Sequence, residues 1–529
     1  MHTPESAMFL LVPRGKRYIS IANKGSMTLD GDSSVGIFAN NGSTGVNLNL
    51  NFSNATSAGV GSITSHTEST NKNESINSLT GGITSRATAL TDAKVMTVKG
   101  KSSAGLYMPN DSSFIHGQFA VDVQTQATTP NEGSAGIYSA SPIDLQGHYI
   151  KLTNGKYNVG TYPVDKAVHY LGAGSIELNG GENNTGIVAK GGGRVLSESE
   201  MALTGGKNNV AIYADGHSGT YTSNNNNDVE VKSIETVGAP QEDSVFIYAQ
   251  GGAKVKTDAA AGGLKIKGTI SAGTNNFNSG TSKLDKNVGG VYANGGGNSS
   301  YTTDISQTKT NTFMGANDYN IDITGAAATN NSNVYAGFGI FANNSKVNAE
   351  YNKVKATNTG VAVAATSGGY VNLDHGEANY KGSGYALYTE GNGDITLNDG
   401  NLVLGGNAVG YIKDTGSHGV HMNTGSKIDV QSDGVILMDL RVPGPLNSTN
   451  LDNQFTGGTG YLSGATITAN SNKYKYKYAV IDGITFNIDS DIDKGDSTST
   501  SDGYVFTRRL LLQNSEINVN AGKNVTANL

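Results

Sequence analysis

Asp489-Ser-Asp-Ile-Asp-Lys-Gly495 is the stretch whose residue types best suit a hard divalent cation, with carboxylates at alternate positions. Its spacing departs from a calcium loop. Glycine stands at the seventh place instead of the sixth, and Thr500 occupies the twelfth, where a bidentate Glu is required. The expectation is a solvated Asp run. His418-Gly-Val-His421 supplies two imidazoles, but residues three apart on a strand face opposite ways, so one metal needs an intervening turn. Lys494-Gly-Asp496 is an integrin-type tripeptide of a length that recurs by chance. Lys473-Tyr-Lys-Tyr-Lys-Tyr478 puts Tyr on one strand face and Lys on the other. That suits a half-exposed strand whose lysines oppose edge pairing, or a patch for anionic partners. Asn-X-Ser/Thr sites such as Asn51 and Asn54 follow from the abundance of these residues. From these stretches no catalytic residue, metal ligand or cofactor is assigned, and binding residues stay unassigned.

The remaining candidates are aromatic and periodic. Phe38, Tyr107, Tyr138, Tyr213, Tyr248, Tyr292, Phe341 and Tyr388 each stand third in a short motif such as Gly36-Ile-Phe-Ala39, Gly136-Ile-Tyr-Ser139 or Ala211-Ile-Tyr-Ala214. An outward stripe of such rings stacks on sugars or anchors interfaces. The plainer reading, which we favour, is a structural stack that joins one repeat to the next. Looser copies are Val361-Ala-Val-Ala364, Gly410-Tyr-Ile-Lys413 and Gly434-Val-Ile-Leu437.

Spacing identifies the elements behind the motif. From Phe341 the third residues fall at 341, 363, 388, 412 and 436, in steps of 22, 25, 24 and 24. Larger gaps are near multiples, such as 50 from 138 to 188, and the 35-residue step from 213 to 248 holds the insertion Asn224-Asn-Asn-Asn227. A period near two dozen is that of a solenoid. Each unit reads as two short alternating strands around a Gly/Asn turn, as in Gly174-Ser-Ile-Glu-Leu-Asn-Gly180 leading to Gly186-Ile-Val-Ala189. The expected fold is all-β, a right-handed parallel β-helix of about 24 residues per coil. Coils would stack at ~4.8 Å, giving ~20 coils and a rod of about 100 Å. Ile37, Ile137, Ile187, Ile212, Ile247 and Ile340 should form one inward ladder, with Ala39, Ala189, Ala214 and Ala342 on the same face. Turn glycines supply positive φ, and corner asparagines exchange amide hydrogen bonds between coils. The leucine framework of a leucine-rich repeat is missing, and 24-residue steps are too short for propeller blades.

Composition agrees. Gly accounts for 72 of 529 residues, about twice the usual share, while Pro totals 9 and Cys is absent. The 25 Tyr separate the chain from disordered sequences, and the absence of Cys removes disulfides, zinc thiolates and thiol nucleophiles. Charged residues are 15% with a net charge of −7 and no basic cluster, which argues against a nucleic-acid partner. Met8-Phe-Leu-Leu-Val12 is too short for a membrane span and a poor signal peptide. Leu11-Val-Pro-Arg-Gly15 matches a thrombin cleavage site, so residues 1–18 are read as a tag or unassigned segment. The rod is expected over 19–440, with irregular insertions near 54–100 and 296–333. A break carrying Pro443 and Pro445 covers 441–458, and further irregular coils cover 459–529.

The recurrent Gly-Ile-Tyr-Ala with Gly/Asn turns, across most of 19–529, resembles the passenger repeats of type V autotransporters, in particular the very large fusobacterial outer-membrane adhesins. The resemblance implies a β-helix displayed at the cell surface, held by a C-terminal β-barrel that this chain lacks and a longer parent would carry. It implies attachment to a receptor or glycan on host or bacterial cells, membrane contact only through that barrel, and no enzymatic activity. Two alternatives share the architecture. A polysaccharide-degrading β-helix would bring carboxylates together from successive coils. A toxin passenger would show cytotoxicity or pore formation.

Overall fold

The computed structural model describes residues 9–11, 17–22, 27–39, 46–51, 95–109, 113–216, 228–238, 240–258, 263–270, 289–295, 304–307, 318–325, 337–413, 419–423, 425–432, 435–440, 466–469, 475–477, 479–482, 485–488, 510–513, 516–519 and 521–522. The Asp489–Gly495 run, Thr500, the Lys494–Asp496 tripeptide, His418, Asn54, and Pro443 and Pro445 with the break at 441–458 lie outside these residues. So does most of the 54–100 insertion and much of 296–333. The chain forms two compact units, Met1–Glu242 with Phe246–Leu264, and Asp243–Val245 with Lys265–Leu529.

Both units are parallel β-helices. In the N-terminal unit the motif strands Val35–Ala39, Ala104–Met108, Ala135–Ser139, Val159–Pro163, Thr185–Lys190 and Val210–Asp215 pair in parallel, each with its predecessor one coil earlier. The interior ladder of these strands runs Ile37, Leu106, Ile137, Thr161, Ile187, Ile212 and Ile247 in register. The expected isoleucines are buried, as are Ala189, Ala214 and Ala342. In a second parallel sheet, Val46–Asn51 and Met96–Val98 both pair with the long strand Ser113–Val123, the long strands Ile143–Thr153 and Val168–Asn179 follow, and the next coil divides into Arg194–Ser197 and Glu200–Thr204.

In the C-terminal unit each regular coil has three strands, where the sequence pattern suggested two. Val361–Thr366 is followed by Tyr370–Asn372 and Glu377–Gly382, and the next coil repeats them as Tyr385–Glu390, Asp394–Thr396 and Asn401–Gly406. Each pairs in parallel with its counterpart. The added element is only three residues long, enough to turn a corner.

Two local devices make the coils stack. The first residue of the motif sits at a bend that skips a ladder position: Val159 pairs with Thr185 and Thr161 with Ile187, leaving Gly160 and Gly186 between. Neighbouring coils approach closely there, and a Cβ added at Gly136 would lie 2.6 Å from the Gly160 carbonyl oxygen. Larger residues at this place cost a local shift. The second device is a buried polar column before the motif strands. The Ser134 N–H donates to Asn158 Oδ1 (3.1 Å), the Asn158 N–H to Asn184 Oδ1 (3.0 Å) and the Asn184 N–H to Asn209 Oδ1 (3.0 Å). Asn209 Nδ2 donates to Gln241 Oε1 at 3.1 Å, and Asn158, Asn184, Asn209 and Gln241 are wholly buried. The expected amide exchange after the motif also exists in the C-terminal unit, where Asn343 Nδ2 donates to Asn294 Oδ1 (3.2 Å).

Candidate functional site

The aromatic third residues stack along the coils. In the N-terminal unit Phe38 and Tyr107 lie 5.8 Å apart, Tyr107 and Tyr138 5.4 Å, and Tyr213 and Tyr248 5.4 Å, all close to parallel. Tyr162, from a copy the motif search passed over, meets Tyr138 edge-on at 5.3 Å. These rings are half-buried. In the stacked pairs the faces lie against one another, which leaves edges and hydroxyls toward solvent. The Tyr213 hydroxyl donates to Asp215 Oδ2 (3.3 Å), the Tyr248 hydroxyl donates to Gln250 Oε1 (2.7 Å), and Gln250 Nε2 donates to Asp215 Oδ2 (2.9 Å). Burial, then the Asp215 charge, raises the Tyr213 phenol above its ordinary value. In the C-terminal unit Tyr292 and Phe341 stack at 5.2 Å, and both are buried, as is Tyr388. Where the rings stack face to face, each face is taken up by the neighbouring coil, and such a ladder serves coil pairing.

Nucleophile and base types meet in the interior of the N-terminal unit. His148 Nε2 lies 2.6 Å from Ser199 Oγ, and Ser199 contacts Ser197 Oγ. His169 Nδ1 lies 2.7 Å from Thr161 Oγ1, the one hydroxyl in an otherwise apolar ladder. All five side chains are buried. Burial lowers the His148 imidazole from 6.5 to about 3. His169 falls to about 3 for the same reason, opposed by a hydrogen bond with the Ser139 backbone. A base held so far below neutral pH is poorly matched to proton abstraction, and a buried hydroxyl meets no substrate. Room for the His148 ring comes from Gly174 one coil on, where a Cβ would lie 2.6 Å from Nδ1.

An exposed corner of the C-terminal unit concentrates recognition chemistry. Tyr351, His375 and Asp399 occupy the same turn of successive coils, at φ of 65°, 57° and 52°. This left-handed region is ordinarily taken by Gly or Asn, and for a bulky residue it is an outlier. The Tyr351 and His375 rings stack at 4.7 Å, and His375 Nδ1 stands 3.9 Å from Asp399 Oδ2. Tyr351 is 38% exposed, and the His375 and Asp399 side chains are 40% and 47% exposed. The turn backbones are pinned by Tyr351 N–H to Asp374 O (2.9 Å) and His375 N–H to Asn398 O (2.8 Å). A rigid turn thus presents an aromatic edge, an imidazole and a carboxylate together.

Of the earlier candidates, His421 Nε2 lies 3.3 Å from Asp394 Oδ1, one coil back. Lys475–Lys477 is a strand, paired in parallel with Ile436–Leu440. Sequence reasoning passed over the Tyr351 corner because its members lie 24 residues apart, as Tyr351, His375 and Asp399. Aligning coils on their turns instead of on the motif finds them. No known protein family, curated protein or solved structure matches the chain.

Proposed function

We propose that the chain is part of a surface-displayed adhesive passenger, attaching a bacterial cell to receptors or glycans on host or bacterial cells. One observation carries the reading: motif strands pair in register although the number of residues between them varies. Val210–Asp215 pairs residue for residue with the next motif strand, Ile212 to Ile247 and Ala214 to Ala249. Residues 217–227 lie between them in sequence, outside the described set. A stack of this kind accepts variable segments at its turns without cost to its own pairing, which is what a display scaffold requires. The Tyr351–His375–Asp399 corner is the contact surface favoured within it. The resemblance of the repeats to autotransporter passengers supports the surface location.

The test is binding of the labelled protein to intact host and bacterial cells, with free sugars and amino acids as competitors. Saturable binding removed by one class of competitor supports adhesion and names the partner class. Absence of saturable binding across the panel sinks the adhesive reading for this part of the chain.

A further inference from the structure

We propose that the coils carrying His148 and His169 form an acid-released segment of the N-terminal unit, in which protonation of two interior imidazoles opens the strands Ile143–Thr153 and Val168–Asn179. The proposal does not rest on the adhesive reading.

The two rings sit on adjacent coils of one sheet, both wholly inside. Each is held only through hydroxyl or backbone groups. His148 reaches over Gly174 to the Ser199 hydroxyl, and its Nδ1 has no partner. His169 meets Thr161 and the Ser139 backbone. Residues paired with them in the ladder are uncharged: Phe119 and Gly174 flank His148, while Ile143 and Val195 flank His169. Ionisable positions one step along those strands are Asp144 beside Ile143, Tyr170 beside His169 and Arg194 beside Val195, and Glu198 and Glu200 flank Ser199. Tyr149, beside His148, is pushed up to about 12, chiefly by burial. None of these groups contributes to the shift of either imidazole, for which burial is the leading cause. A proton taken up by either ring therefore finds no carboxylate to pair with, and a buried unpaired cation is relieved by opening the coil to water.

Because both imidazoles titrate lower in the fold than at their ordinary 6.5, stability is fully present above that pH and drains away as pH falls toward about 3. Each histidine raises the open fraction about tenfold per pH unit over that window, and the two together about a hundredfold. The C-terminal unit is an internal reference. His375 is exposed and His421 is half-buried, with carboxylates near both.

Hydrogen exchange read by mass spectrometry on the whole chain, between about pH 7 and about pH 4 and corrected for intrinsic rates, tests this. Protection of 143–153 and 168–179 should fall steeply while 353–357 and 377–382 hold theirs. A double His148→Gln, His169→Gln variant should flatten the acid response and leave protection at neutral pH within a few-fold of the parent. Equal loss of protection in both units, or an unchanged acid response in the variant, overturns the proposal. Should the variant fail to fold, the wild-type contrast between the two units still decides. So does NMR of the ring carbons, where titration of His148 and His169 near 6.5 without loss of protection also overturns it.

Discussion

Single residues hold this fold at places where a side chain reaches across a coil. Asn184 is the clearest. Its Oδ1 accepts the Asn158 N–H at 3.0 Å, and its Nδ2 donates to the Gly155 carbonyl at 2.9 Å, all within a buried column. Asn184→Ala leaves the Asn158 N–H without an acceptor, and a urea midpoint should report a loss of ~1–3 kcal/mol. Asn184→Asp keeps that acceptor but turns a carboxylate oxygen toward a carbonyl, so it should not restore wild-type stability. Gly174 has the opposite role, as a space kept empty. Gly174→Ala puts a methyl against the His148 ring and backbone, at a cost of ~1–3 kcal/mol in the same assay. At Tyr351 stability and recognition separate. Tyr351→Asn removes the exposed ring and relieves a left-handed backbone that Asn tolerates. The melting temperature should therefore hold or rise, while saturable cell binding falls about tenfold if this corner is the contact. A variant that binds as well as the parent would remove the corner from the adhesive surface. None of these three positions is marked in the sequence by composition. Asn, Gly and Tyr are common throughout, and what distinguishes these copies is a neighbour one coil away.

At the scale of the element, one strand type carries two environments. The motif rings of the N-terminal unit are half-buried and stacked at their faces, whereas Phe341 is 1% exposed in the C-terminal unit. Val361–Thr366, one coil beyond the Phe341 strand, is buried at every residue. Phe341→Ala should therefore cost ~3–5 kcal/mol, the usual penalty for a deleted core ring. Tyr138→Ala should cost about 1 kcal/mol, chiefly its ring contacts. Equal costs would mean that the half-buried ladder packs as tightly as a core. The period, the parallel stacking and the inward Ile and Ala faces were legible in the sequence, because a four-residue motif recurs at a near-constant spacing. Two features were not. Gly160-Thr-Tyr-Pro163 is a full copy of the motif strand, but Thr replaces the inward apolar residue, and only the buried His169 explains why that is tolerated. The corner strands, such as Lys346–Asn348 and Tyr370–Asn372, span three residues each, and an alternation needs more than that to stand out. Phe9–Leu11, set aside with the N-terminal segment, pairs in parallel with the first motif strand.

At the scale of the whole molecule, each unit is stabilised coil by coil. Among the described residues, strands pair in parallel with their counterparts in neighbouring coils, so stability is close to a sum of coil terms and nearest-neighbour interfaces. The regular stretch of the C-terminal unit allows a strict test. Residues 370–393 make one 24-residue coil, and their removal joins Gly369 to Asp394. Asp394 already pairs with Tyr370, which pairs with Lys346, so it would inherit a lysine partner. Leu404 would replace Tyr380 against Ala356, and Tyr411 would replace Leu387 against Val363, each position remaining interior. The shortened protein should fold with the same β signal per residue in circular dichroism and lose only a small part of its resistance to urea. Deleting 370–381, half that length, puts the motif strand Tyr385–Glu390 out of step with its own sheet, so its buried residues lose their place against Val361–Thr366. That variant should lose its cooperative transition and become protease-sensitive. If both deletions behave alike, the coil is not the unit of folding.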